Sequence, residues 1–279
     1  MKLVTFLRYG QERVGLLEGR AIRIVEGYNS MLDLIRSGAK PESLRSRDAV
    51  PLTSVDLIAP IPQPGQDIIC LGLNYEAHAE ESARFKASVF EKPDAPVYFS
   101  KRVSQAVGPD GCIDGHLELD SQLDYEVELA VVIGRDARNV PARAAYNYVF
   151  GYTILNDISA RSLQGKHKQW YFAKSLDGFT PMGPAIVTED EFERPPKLGI
   201  SSYVNEEPRQ MGNTSQLIFD IPYIIEELSS GMTLKAGTII STGTPAGVGM
   251  GMQPPRFLKR GDVVRCEIEG IGVLENTVM

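Results

Sequence analysis

Cysteine is nearly absent from this chain. Cys70, Cys112 and Cys266 are its only three and none forms a CxxC pair. An odd, sparse set predicts reduced thiols in a cytosol, not a disulfide framework. Histidine is as scarce, and His78, His116 and His167 show no HExxH spacing, which argues against a Cys/His zinc site. Long apolar runs are also missing. The opening MKLVTFLRYGQERVG is interrupted at Arg8, too early for a signal-peptide core, and nothing approaches the roughly 20 apolar residues that span a bilayer. Positive charge is not in excess: the formal net charge is -7 and no basic tract stands out, which disfavours general nucleic-acid binding. These absences predict a soluble, cytoplasmic protein with neither a membrane nor a nucleic-acid partner.

What is present is an ordinary globular composition, 43% hydrophobic and 23% charged over 279 residues, enough for one large domain or one large and one small. Residues 1 to 27 read as short strands around turns at Gly10, Gly19 and Gly27. SMLDLIRSG reads as a short helix with Ser30 as N-cap and Gly38 as its stop. APIPQPG then places three prolines within five residues, a stiff connector. The predicted organisation is a small N-terminal domain over 1–58, a Pro-rich linker over 59–66 and a main domain over 67–279. Strand signals dominate the latter in DIICLGL, PVYFSK, YEVELAVVIG, YVFGYTILND, GPAIVT, GTIISTG and DVVRCEIEGIG. DIPYIIEELSSG is the clearest helix, with Asp220 as cap, Pro222 in the first turn and Gly231 at its end. Without regular βα alternation, the fold class is α+β, mainly β and mainly antiparallel.

The most informative stretch is LDYEVELAVVIGR. On a strand, Glu126 and Glu128 share a face, with Asp124 at the same parity and Val127 and Leu129 on the other side. A strand with one wet face would give the same alternation. Asp157, at the tip of YTILND, joins the glutamates if the two strands are neighbours. Carboxylates near 4 Å repel by about 4 kcal/mol per pair at an effective dielectric of 20. A hard divalent cation removes that penalty, and Mg²⁺ or Mn²⁺ suits a few carboxylates with water positions left over.

Six ordered blocks then carry a resemblance. CLGLNYEAHAEE (70–81), PVYFSK (96–101), DYEVELAVVIGR (124–135), GYTILNDISARSLQ (151–164), AKSLDGFTPMGP (173–184) and STGTPAGVG (241–249) together resemble the fumarylacetoacetate hydrolase family. The match is to its shorter bacterial members with a small N-terminal domain. The resemblance implies a mixed β-roll or sandwich-like fold, a homodimer, and Mg²⁺ or Mn²⁺ (Ca²⁺ in a crystal) held by Glu126, Glu128 and Asp157. It implies catalytic roles for His78, Glu81 and Lys174, and substrate contacts from Lys101, Arg161, Gln164 and Thr244. The segment SARFKASVFEKPDA between Glu81 and Pro96 is longer than in the tightest members, which puts substrate size in doubt.

Read from the residues, NYEAHAEE suits a helix with Asn74 as N-cap, and the i,i+3 spacing places His78 and Glu81 on one face, as it would for a casual exposed pair. A carboxylate on one imidazole nitrogen leaves the other as a base. Lys174 could equally be a surface partner of Asp177, and Arg161 could pair with a substrate carboxylate or with a neighbouring acid. The glycine-rich STGTPAGVGMG lacks the GK[ST] ending of a nucleotide loop and reads as a tight loop, with Thr244 near a carboxylate or in a plain turn. Trp170 and Tyr171 are assigned to core or dimer contacts, outside the site. The expected activity is metal-dependent cleavage of the C–C bond of an acylpyruvate-type 2,4-dioxo acid, in aromatic or sugar-acid catabolism. An oxaloacetate-type decarboxylase or an isomerase of 2-hydroxy/2-oxo-diene-dioates is the alternative. A non-catalytic metal binder is disfavoured because all six metal-binding and catalytic positions are retained.

Overall fold

A computed structural model of the chain describes residues 1–40, 43–85, 87–89 and 92–279. Among these, an eleven-stranded sheet forms the body of the molecule. Its main path runs Ser46–Pro51, Ala21–Val25, Gln11–Glu18, Lys2–Arg8, Met182–Thr188, Val149–Asn156, Val127–Ile133, Ile239–Ser241, Ile68–Gly72 and Val97–Lys101. Asp56–Ile58 also pairs with Lys2–Arg8. A second sheet holds Glu207–Asn213, Gly199–Val204, Val263–Ile268, Gly272–Val278 and Cys112–Ile113. Pairing is antiparallel except where Ile239–Ser241 meets Ile68–Gly72 and where Gly272–Val278 meets Cys112–Ile113. The α+β, mainly β expectation is met.

Val127–Ile133 explains the layering. Every residue of this strand is buried, so the strand has no wet face. Leu129, Val131 and Ile133 join the core shared with Ile200, Val264 and Ile268 of the second sheet. Ala130 and Val132, on the opposite face, join Leu3, Val14, Met31, Leu34 and Ile35. Each such Val, Leu or Ile side chain contributes about 1.5–3 kcal/mol by leaving water. The first 58 residues therefore extend the same sheet, help complete this second core, and supply most of a further one of Val4, Phe6, Ile22, Val50 and Ala185. The Pro-rich stretch is bonded down between them: Thr5 Oγ1 donates to the Pro60 carbonyl at 2.6 Å and the Ala106 amide to the Pro62 carbonyl at 2.8 Å.

Local signals fix the helices. Ser30 accepts from the Asp33 amide and Gly38 takes the left-handed conformation at φ 66°, bounding Met31–Ser37. Asp220 accepts from the Tyr223 amide and starts Ile221–Gly231, which runs through Gly231 to a cap at Met232. Gly231 is the last helical residue, as expected. No helix among the described residues is long and apolar enough to cross a membrane.

Candidate active site

The register of two central strands assembles the carboxylates. Val127 lies opposite Asn156 across the antiparallel pair, so Glu126 and Asp157 meet at the same strand ends. The Asp157 amide donates to the Glu126 carbonyl at 2.8 Å, and the Asn156 side chain accepts from the Glu126 amide at 3.0 Å. Ligand oxygens of Glu126, Glu128 and Asp157 all lie within 4.8 Å of one another, and all three side chains are buried. The neighbouring-strand condition set by the sequence is satisfied.

Three buried cations surround this cluster. Lys174, at the end of the short helix Tyr171–Lys174, donates to Glu126 Oε2 at 2.7 Å and to Asp157 Oδ2 at 2.5 Å. Lys101 donates to Asp157 Oδ1 at 2.5 Å and to the carbonyls of Phe179 and Ile158 at 2.9 and 3.3 Å. Arg161 donates from Nε to Asp124 Oδ2 at 2.9 Å, from Nη2 to Glu126 Oε1 at 2.6 Å and from Nη1 to Gln164 Oε1 at 3.0 Å. Burial alone would raise the Glu126 pKa, but Lys174 and Arg161 outweigh it and hold that carboxyl well below its ordinary range. Burial would likewise lower the Lys174 pKa, yet Asp157 and Glu126 reverse it and keep the ammonium charged.

Glu128 differs. Among the described residues its only hydrogen-bond donors are neutral, Ser241 Oγ at 2.5 Å and the Gly243 amide at 3.0 Å, both on Oε2. Burial, Asp157 and Glu126 push its carboxyl well above the ordinary value. A buried acid disfavoured as an anion, converging with two carboxylates, fits a hard divalent cation with oxygen ligands. The donor set suits Mg²⁺ or Mn²⁺ better than zinc.

The helix Glu76–Phe85 lies over this cluster. His78 Nδ1 faces Glu81 Oε2 at 3.3 Å, and both side chains are buried. His78, Ser82, Glu126, Glu128, Gln164, Trp170, Lys174 and Thr244 are among the residues lining a cavity of about 20 Å³. That is room for about one water molecule, so the helix sits closely over the carboxylates. Two details depart from the sequence reading. Asn74 is not the cap of this helix: its amide donates to the Phe219 and Thr242 carbonyls and its oxygen accepts from the Phe219 amide, tying three segments together. Trp170, assigned to the core or a dimer contact, lines the cavity, stacked edge-on against Phe99 with centroids 5.3 Å apart. The signal available for it was Gly72, whose missing side chain makes room for the indole: a Cβ there would lie 2.3 Å from it. Tyr171 is partly exposed.

Lys101 and Arg161 spend their donors on the protein itself, and Lys101 is fully buried outside the cavity lining. Thr244 reaches the cavity wall, but its hydroxyl donates to the Val127 carbonyl at 2.8 Å and accepts from Gln210 Nε2 at 2.7 Å. Of the longer segment after Glu81, Ser82 to Phe85 complete the helix, while Lys86, Phe90 and Glu91 lie outside the described residues.

The model of the fumarylacetoacetate (FAA) hydrolase C-terminal family matches residues 67–279. Oxaloacetate tautomerase YisK of Bacillus subtilis (strain 168) is 48% identical over 227 residues, 81% of this chain and 74% of the relative. A fumarylacetoacetate hydrolase from psychrophilic Exiguobacterium antarcticum superposes with a TM-score of 0.86 at 42% identity, covering 100% of this chain and 99% of the other. Maleylpyruvate hydrolase from Sphingobium sp. SYK-6, solved with manganese(II) and pyruvate, gives 0.78 at 30% identity, covering 100% and 99%. With the carboxylate cluster and the helix above it, these likenesses lead to one conclusion: the chain belongs to the fumarylacetoacetate hydrolase family.

Proposed function

We propose that the chain is a divalent-metal-dependent enzyme that moves a proton at the carbon next to the keto group of a small 2-oxo acid, with keto–enol conversion of oxaloacetate as its reaction. The observation that carries this reading is the placement of His78 in one small cavity with Glu126, Glu128 and Lys174. Glu126, Glu128 and Asp157 would hold Mg²⁺ or Mn²⁺, which when bound supplies a Lewis acid for charge growing on the keto oxygen. Glu81 fixes the His78 ring through Nδ1, leaving Nε2 as the base that takes the proton from C3. Net isomerisation returns one proton to the C2 oxygen. Lys174 adds positive charge beside that oxygen, and Gln164, whose oxygen Arg161 holds, presents its amide nitrogen to the substrate. The tautomerase relative favours a small, uncleaved substrate.

Hydrolysis of an acylpyruvate is the second reading, favoured by the same His78–Glu81 pair, which is also arranged to activate water. Oxaloacetate and acetylpyruvate should therefore be assayed with Mn²⁺, following loss of enol absorbance and release of pyruvate separately. Metal-dependent interconversion of oxaloacetate without pyruvate is the expected result. Pyruvate from acetylpyruvate, with no effect on oxaloacetate, would replace the first reading by the second. His78→Gln should lower kcat by about 10²–10⁴ while leaving Mn²⁺ affinity unchanged. A variant with wild-type kcat would remove His78 from the proton transfer.

A further inference from the structure

Beneath the helix that carries His78 and Glu81 lies a turn rich in glycine whose contacts run in one direction. The Gly247 amide donates to both oxygens of Glu81, at 3.1 and 3.2 Å. Four residues later, Gly251 presses on the same carboxylate: a Cβ built there would fall 1.9 Å from the Glu81 carboxyl carbon. The turn is in turn pinned from below. Asp124, fully buried, accepts from the Gly249 amide at 2.7 Å and the Met250 amide at 3.0 Å. Tyr125 donates its hydroxyl to the Gly247 carbonyl at 3.0 Å. Asp124 also accepts from the Tyr125 amide and from Arg161 Nε, both at 2.9 Å, and the same guanidinium reaches Glu126.

We propose that Asp124 and the 247–251 turn form a latch that seats Glu81, and through it His78, at a fixed distance from the carboxylate cluster. Asp124 and Gly251 are positioning residues: neither lines the cavity, and both act through Glu81. The catalytic part of this inference rests on His78 and Glu81 working as the proton-transfer pair. The physical reason is geometric. The Tyr75–Leu217 bridge and the Asn74 contacts anchor the helix at its start, and further on a carboxylate held by one amide and fitted to a side-chain-free Cα sets its height. Arg161 joins that seat to a carboxylate of the cluster, so the two halves of the site are held in one frame.

Gly251→Ala tests the latch without touching the cluster. The added methyl must displace the Glu81 carboxylate. The expected outcome is a kcat lower by about hundredfold, since a displacement of this order in a catalytic group has that cost, with Mn²⁺ Kd within about twofold of wild type. Amide hydrogen exchange of the helix 76–85 should accelerate about tenfold. In a Glu81→Ala background the methyl meets no carboxylate, so the same substitution should cost less than about twofold in kcat and leave exchange unaltered. Equal cost in both backgrounds, or wild-type kcat and exchange in Gly251→Ala, overturns the proposal. Asp124→Asn keeps the volume but turns one acceptor into a donor, so it cannot serve both Arg161 and the turn amides. It should accelerate helix exchange with the circular dichroism spectrum unchanged, and unaltered exchange removes Asp124 from the latch. If wild-type protein turns over neither oxaloacetate nor acetylpyruvate, the functional reading fails, while the exchange comparisons still decide the latch.

Discussion

Glu128→Gln should leave the metal-free protein as stable as wild type and remove most of its response to Mn²⁺. Glutamine has the shape of a protonated glutamate, and burial with two neighbouring carboxylates already pushes Glu128 towards that neutral form. Its Oε2 keeps the Ser241 hydroxyl and the Gly243 amide as donors, so the replacement strands no buried group. The metal loses an anionic ligand, and Kd should rise at least about hundredfold, equivalent to about 3 kcal/mol. In wild type, Mn²⁺ at about a hundred times its Kd should stabilise the fold by about 2.7 kcal/mol; in the variant the same concentration should add no more than about 0.4 kcal/mol. Thermal melts with Mn²⁺ and with EDTA, alongside titration calorimetry, measure both. An undiminished metal-induced shift in Glu128→Gln would falsify the three-carboxylate site. Glu126→Gln is a poorer choice, because it uncouples Lys174 and Arg161 from a charge both depend on.

Lys101→Met carries the largest stability effect. The ammonium has no exposed surface and reaches a carboxylate with none, Asp157. Removing it also strips a donor from the Phe179 and Ile158 carbonyls. Breaking one side of a buried ion pair costs about 3–5 kcal/mol, and at about 2–4 °C per kcal/mol for a chain of this size the melting temperature should fall by about 10 °C. Scanning calorimetry of the metal-free protein reads it directly. A melting temperature within about 2 °C of wild type, paired with a raised KM, would return Lys101 to the substrate-contact role that the resemblance assigns it. The prediction therefore separates a counter-ion for Asp157 from a ligand for substrate.

Most strands, the mainly antiparallel class and the carboxylate cluster were legible because each rests on a short-range regularity. The parity of Glu126 and Glu128 is fixed by strand pleating, and the caps Ser30 and Asp220 act within three residues. What escaped depends on distant partners. Asn74 sits where a helix cap would, yet its amide is claimed by Phe219 and Thr242, far along the chain. Arg161 was left between a substrate carboxylate and a neighbouring acid, and only the pairing of Leu123–Asp124 with Ser159–Ala160 brings Asp124 within its reach. Trp170 is the single tryptophan, and nothing in its own neighbourhood distinguishes a core indole from one at a cavity wall. The hairpin of Gly199–Val204 with Glu207–Asn213 was missed because its second strand, EPRQMGN, is polar and half-exposed, without the apolar alternation that marks a strand.

The sheet's first strand bears on how portable this site is. The family match begins at residue 67, which invites a cut there to obtain a minimal catalytic unit. Lys2 and Leu3, however, pair with Val187 and Ile186, and the strand that carries those two residues neighbours the one leading to Asp157. Severed at 66, the remainder would present Met182–Thr188 as a bare sheet edge and strip Leu3, Val14, Met31, Leu34 and Ile35 from the core around Ala130, Val132 and Leu155. Such a fragment should aggregate instead of folding, and the first strands would have to be supplied in trans or redesigned. The candidate site is thus not a module that can be lifted out: the amino-terminal ribbon is part of the floor on which the clustered carboxylates stand.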